Sequence, residues 1–278
     1  MSSQHNHPTS NRDDRMPPHS SSLIWRKAKV LIIGRASPEP SKKHLETVCT
    51  GGVTENGEIL RLYPIPWRYL ELEDRYRQWT WAEFEIAKDP SDNRKESYKV
   101  KEGSIRVLNQ SQDWSERFAF LKKAIFKDKE TLERLYDQDW TSVGVIEIDL
   151  LKFYVKPKDK DWEKDKPYLK QELLYEHRKP LEQLPFEFRL KFRCKNNPDC
   201  KTHDSSLIGW EYLEAFRKFR TNYGSDENAV EVIISEIQKK FDNPGNNAYA
   251  LMGTHRFHRA WMVAQLYFIP KNLPERLF

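Results

Sequence analysis

The groups in this sequence best suited to chemistry are its three thiols and a few clustered imidazoles. Two cysteines fall in Phe192-Arg193-Cys194-Lys195-Asn196-Asn197-Pro198-Asp199-Cys200-Lys201-Thr202-His203-Asp204, six positions apart, and His203 follows three residues after the second. The third, Cys49, lies far upstream beside Gly51-Gly52. Three thiolates and one imidazole form a tetrahedral Cys3His set, so a metal centre held by Cys49, Cys194, Cys200 and His203 is expected. Zinc suits these donors best; an iron–sulfur cluster uses the same groups and is the alternative. With all four positions filled by protein there is no room for an activated water, so the centre is expected to clamp the fold and not to catalyse. Asp204 could substitute for Cys49 as the fourth ligand, though such a residue more often acts as an outer partner of the neighbouring imidazole. The spacing is wider than in common zinc knuckles. The competing reading is two loop cysteines, a surface histidine and, in Cys49, a small buried hydrophobe.

A second cluster is His255-Arg256-Phe257-His258-Arg259. Arg256 and Arg259 could grip a phosphate while His255 or His258 moves a proton, which is the equipment of a phosphodiesterase or nuclease. A polar hairpin turn would read the same way. Basic residues also interleave with aromatic ones at Arg61-Leu62-Tyr63 and Trp67-Arg68-Tyr69. Rings that stack on bases beside guanidiniums that meet phosphates are how small barrels hold single strands. The leading functional expectation is therefore a metal-stabilised protein that binds single-stranded nucleic acid through Arg61, Trp67 and Arg68, with Arg256 and Arg259 as a second contact. An enzyme using His255 and His258 is the alternative, and a protein-interaction module is a third reading. No phosphate-binding glycine loop, nucleophile elbow or H-E-x-x-H helix is present.

The elements that must position these groups begin with Lys29–Gly34, a β-branched run closed by the Pro38-Glu39-Pro40 breaker. Strands at 46–49 and 59–63 flank Asn56-Gly57, a hairpin signal. Trp79–Ile86 alternates with period two, and 104–108 is a weaker strand. From Trp114 the period becomes helical, and Asp128 is the expected N-cap of a second helical stretch. Val143–Ile148 returns to strand. Residues 156–167 alternate charge signs and read as a loop or linker. Phe186, Phe188, Leu190 and Phe192 share one strand face that leads into Cys194. After His203 a helix carrying Leu207, Trp210, Leu213 and Phe216 is expected to end near Gly224, followed by a helix over 226–241 and two strands, 249–253 and 261–268. No repeat of fixed period is visible.

The chain has 278 residues, a net charge of +5, 38% hydrophobic residues and 13% aromatic ones. That is enough for one or two domains with a real core, and mildly basic in a way compatible with a polyanion. No apolar run reaches the roughly 18–20 residues needed to span a bilayer, and no secretory signal is visible, so a cytoplasmic protein with reduced thiols and no membrane partner is expected. Residues 1–22 read as a disordered tail, 23–155 as a β-rich part with a helical segment, and 156–278 as an α+β part, continuous with the first or separate from it. The expected fold is thus α+β: a small N-terminal curled sheet or barrel, a helical segment, then a metal knuckle with two helices and a closing β-hairpin.

The runs Glu46–Cys49, Arg61–Arg68, Phe192 through His203, Trp210-Glu211 and Gly253-Thr254-His255 resemble a group of uncharacterised prokaryotic proteins of similar length that carry a Cys-x5-Cys-x2-His knuckle. The resemblance covers most of residues 29–270 and implies no activity.

Overall fold

In a computed structural model the described residues are 23–41, 44–158, 182, 184–255 and 259–274. The expected tail 1–22, most of the expected linker, Arg256 and His258 lie outside them.

The N-terminal strands are β1 (Arg26–Arg35), β2 (Glu39–Ser41), β3 (Leu45–Thr54), β4 (Ile59–Ile65), β5 (Thr80–Lys88), β6 (Ser97–Val100) and β7 (Arg106–Gln110). β1 pairs with β3, β3 with β4, β4 with β6, β6 with β5, and β5 returns to β1, closing a five-stranded barrel. Only the β4–β6 pair in that ring is parallel. β1 shows why the barrel does not stand alone. Val30 and Ile32 point into its interior with Leu60, Leu62, Phe84 and Ile86. Leu31 and Ile33 point outward, yet they are equally buried, against Val143, Val145, Leu251 and Tyr267. A strand apolar on both faces needs a layer on each side. Gly52 lets β3 lie close to β1, since a Cβ there would meet Val30 Cγ1 at 2.2 Å.

After α1 (Trp114–Leu121), the short β8 (Ile125–Phe126) and α2 (Lys129–Asp139) come β9 (Val143–Pro157), β10 (Phe186–Cys194) and β11 (His203–Leu207). Then α3 (Trp210–Tyr223) and α4 (Asp226–Phe241) precede β12 (Asn246–Thr254) and β13 (Trp261–Pro270). Side chains of Asp113, Asp128 and Ser225 cap α1, α2 and α4, and Gly224 ends α3 in the left-handed conformation at φ 81°. β9, β10, β11, β13 and β12 close a second five-stranded barrel, and β11–β13 is its one parallel pair. Its interior holds Ile146, Ile148, Phe188, Leu190 and Phe192, and α3 and α4 add Phe216, Ile233 and Ile237 to the same core.

Numbered within each barrel, both rings run first, second, third, fifth, fourth and back to the first, and in both the third and fifth strands are parallel. This is the topology of the OB-fold, the small Greek-key barrel. The chain is thus two copies of one topology. Two 3-10 turns, Trp67–Tyr69 and Leu72–Asp74, stand between the third and fourth strands of the first barrel, where the second has α3 and α4. The barrels are joined by Ser37 N–H donating to Ile208 O at 2.6 Å and by the Tyr267 hydroxyl donating to Ile33 O at 2.8 Å.

The expected α+β fold with a helical metal knuckle is therefore corrected to two strand-dominated barrels. The C-terminal β-hairpin does not close a knuckle; β12 and β13 are two of five staves. Two features concealed this. β9 does not stop at Ile148 but pairs with β10 as far as Pro157. β11, which carries Asp204, Ser205 and Ser206, looked like the start of a helix, whereas α3 begins only at Trp210.

Candidate functional site

Cys194 ends β10 and His203 opens β11, so the thiol-rich run is the turn of a hairpin and belongs to the second barrel. Asn197 and Pro198 shape that turn: Asn197 N–H bonds Cys194 O and Cys200 N–H bonds Asn197 O. Cys200 Sγ comes within 3.3 Å of His203 Nε2. The fourth group is Glu130, whose carboxylate is 3.2 Å from His203 Nε2 and 3.9 Å from Cys194 Sγ. All four ligand atoms lie within 4.8 Å of one another. Ligands on a tetrahedral zinc with bonds of about 2.0–2.3 Å stand roughly 3.3–3.7 Å apart; the His203 contacts are at that spacing, and the Glu130–Cys194 pair at 3.9 Å would close slightly around one ion. Backbone N–H groups also aim at sulfur, Cys194 N to Cys200 Sγ at 3.0 Å and Lys129 N to Cys194 Sγ at 3.4 Å. Burial pushes the metal-free Cys194 thiol above its ordinary range and holds His203 below its own, which keeps the imidazole neutral and able to ligate. Asn197 Nδ2 donates to Asp128 at 3.0 Å, tying the turn to the cap of α2. Cys49 is not part of this cluster. Asp204 does not serve the imidazole; it binds Arg189 and the Tyr154 hydroxyl.

Cys49 instead faces a cavity of about 210 Å³ between the barrels. One wall is the second and third strands of the first barrel, with Thr47, Cys49, Arg61 and Tyr63, together with Ser37 and Glu39 from the β1–β3 connection and Arg94 from the β5–β6 loop. The opposite wall is Leu251–Thr254, Met262 and Ala264 of the second barrel, and His255 follows at the edge. Arg61 is only 7% exposed. Its Nη1 reaches Thr254 O at 3.2 Å and Cys49 Sγ at 3.7 Å, and its Nη2 reaches Ser142 O at 2.9 Å. Ser142 in turn donates from N and Oγ to the buried Glu96 carboxylate. Arg94 donates to Thr254 O at 2.9 Å and forks onto Asp92. Burial works against a charged Asp92, yet the Arg94 bonds hold its carboxyl well below the usual range. Arg61 Nε and Thr254 Oγ1 are buried, and among the described residues neither has a hydrogen-bond partner.

Of the other expected contacts, Trp67 is committed to packing: its Nε1 donates to Tyr76 O, and its ring lies 4.3 Å from the Arg35 guanidinium and 6.1 Å from Trp210. Arg68 pairs with the buried Glu46 at 2.9 Å. Arg259 pairs with Asp137 at 2.5 Å, on α2. The sequence reading missed a basic face on the second barrel. Between the inward Phe188, Leu190 and Phe192, β10 turns Arg189, Lys191 and Arg193 outward. Tyr154 stands beside Arg189 and Lys152 beside Lys191 on β9. Lys152, Lys156, Lys191 and Arg193 are exposed, and none of them forms an ion pair among the described residues. The alternation of β10 was the available signal, but attention to its apolar half hid the cationic half.

Fold and site together define a tandem-barrel protein with a Cys2HisGlu cluster at one hairpin and a cavity at the junction. The C-terminal residues 127–278 match the model of a domain of unknown function, DUF8757, and the chain belongs to that family. Residues 26–123 match a second domain of unknown function, DUF8758. No curated protein matches the chain. Among the described residues no helix is long and apolar enough to cross a membrane.

Proposed function

We propose that this chain is a zinc-clamped protein that binds single-stranded nucleic acid on the outer face of its second barrel. The observation that carries the reading is the placement of Lys152, Tyr154, Lys191 and Arg193 on the first two strands of an OB-topology barrel. In that topology the oligonucleotide face is formed by the second and third strands with the flanking loops; here Lys191 and Arg193 lie on the second strand, and Lys152 and Tyr154 extend the basic surface onto the first. The exposed cations would track the phosphates, and the Tyr154 ring, over which the Lys152 and Lys191 ammoniums now lie at 5.4 and 6.0 Å, would become a stacking surface as those ammoniums swing to the phosphates. Zinc is favoured over an iron–sulfur cluster because Glu130 supplies an oxygen donor where a cluster would take a thiolate. Its role is structural, since four protein groups leave no open position.

Fluorescence anisotropy of labelled single-stranded DNA and RNA, at stepped salt, tests the binding. Affinity should fall with salt, and Lys191→Ala and Arg193→Ala should each reduce the slope by about one. Tyr154→Ala should cost about 1–3 kcal/mol. Salt-independent or absent binding overturns the reading. Elemental analysis should find one zinc per chain.

A second reading, catalysis, draws on His255 standing at the same cavity as Cys49 and Arg61. Loss of nuclease or phosphodiesterase turnover in His255→Ala, with strand binding intact, would favour it.

A further inference from the structure

We infer that Cys194 and Cys200 are an oxidation-sensitive pair: a small peroxide closes them into a disulfide, and the zinc and its hold on α2 are lost together. The metal half of this rests on the zinc reading above; the thiol pair rests on geometry alone. The chain has three cysteines, and Cys49 stands apart from the cluster, so each of these two sulfurs has the other as its partner within reach. Their Sγ atoms lie within 4.8 Å of each other, and the Cys194 N–H is already aimed at Cys200 Sγ. A disulfide needs about 2.05 Å between sulfurs, so one of them travels up to roughly 3 Å. Cys194 is held in the β10 ladder opposite Ile148, whereas Cys200 lies outside the strands in a turn whose residues 195, 196, 198 and 199 are exposed. The turn yields and the strand does not, so the barrel core survives the closure.

Access selects the oxidant. The two cysteines are only 2% and 6% exposed, so a bulky disulfide such as oxidised glutathione has no line of approach to sulfur. The open side is that of Glu130, whose side chain is 40% exposed and which supplies the one oxygen donor of the set. When that carboxylate swings away, hydrogen peroxide reaches a thiolate. The sulfur attacks one peroxide oxygen and the O–O bond breaks, giving a sulfenic acid and a hydroxide; the second thiolate then attacks that sulfur and displaces a second hydroxide. Two electrons pass from the sulfurs to the peroxide, and two protons from solvent turn the hydroxides into water. Zinc keeps only His203 and Glu130 and departs. Electrostatics do not oppose the exchange, because the two positive charges that leave with the ion match the two negative charges lost from the thiolates. What the reaction undoes is mechanical: the first turn of α2 loses its tie through the ion to β10 and β11.

The test uses the full-length, zinc-loaded protein and hydrogen peroxide. A chromogenic chelator should record complete loss of the ion, and mass spectrometry should find Cys194 and Cys200 joined and lighter by two hydrogens, with Cys49 outside the bridge. Oxidised glutathione at the same concentration should release no zinc. Hydrogen exchange over residues 129–133 should speed up on oxidation, and dithiothreitol with added zinc should restore the starting state. Cys49→Ser should leave all of these readouts unchanged. Peroxide that carries the two sulfurs separately to sulfinic acids, or bridges either of them to Cys49, overturns the inference. So does equal release by oxidised glutathione, or exchange in α2 that does not change. If zinc is bound and peroxide leaves it in place, the zinc reading stands and the inference falls. If the protein binds no zinc yet peroxide joins Cys194 to Cys200, the thiol pair stands and the zinc reading falls.

Discussion

Replacing Glu96 by Gln tests the charge balance of the cavity wall most directly. The side chain keeps its shape, so no space opens. Glu96 is 3% exposed and accepts from Ser142 N at 3.1 and 3.2 Å and from Ser142 Oγ at 2.8 Å. An amide presents only one oxygen, and its NH2 then points at a donor. Hydrogen bonds to a charged group contribute about 1.5–3 kcal/mol, roughly twice a neutral one. Weakening two of them and leaving Arg61 without its compensating carboxylate should cost about 3 kcal/mol. At about 2–4 °C per kcal/mol for a chain of this size, Tm should fall by about 6–12 °C. Urea melts should show the same loss at unchanged slope. A Tm within about 2 °C of wild type would refute the idea that the Glu96 carboxylate supports Ser142 and Arg61.

Three further outcomes are expected. In zinc-loaded protein iodoacetamide should modify Cys49 alone, and a chelator should expose Cys194 and Cys200, as read by mass spectrometry; protection of Cys49 would restore it as a ligand. Asp89, Asp92, Asp128 and Asp204 are all held below the ordinary carboxylate range by hydrogen bonds and ion pairs that outweigh burial. Groups depressed in the folded state stabilise it above the unfolded value near 4 and lose that contribution as pH falls through the folded values. Urea midpoints should therefore drop steadily below about pH 4–5, and Asp92→Asn should flatten that drop. Phe216→Ala removes a fully buried ring packed edge-on against Phe186 and Phe188, and should cost about 3–5 kcal/mol by denaturant melts without releasing zinc.

Local structure was legible wherever a side-chain period or a cap carried it. The span of α4, the Asp128 cap and the Asn56-Gly57 turn all follow from neighbouring residues. Barrel closure was not, because the β1–β5, β4–β6 and β9–β12 pairings join distant segments and leave no mark on either one. The repeated topology escaped for the same reason: two OB barrels share pairings, not side chains. Glu130 lies in the first turn of α2, where an acidic residue already has an ordinary explanation in the helix dipole, and only the fold brings it to Cys194. Cys49 was recruited to the metal for want of a fourth donor. The position of Arg61 two residues before Tyr63 suggested a base contact at the surface, whereas β4 carries it into the interior.

Helix α2 has a consequence of its own. Its 11 residues extend about 16 Å. The first turn presents Glu130 to the thiols, and just past its end Trp140 O accepts from Lys95 N while Ser142 binds Arg61 and Glu96. A rigid rod anchored at both ends lets neither anchor move alone. Linkage then makes any traffic reciprocal: whatever factor zinc contributes to the affinity of a group in the cavity, that group must contribute to zinc affinity. The clamp and the cavity are two handles on one lever.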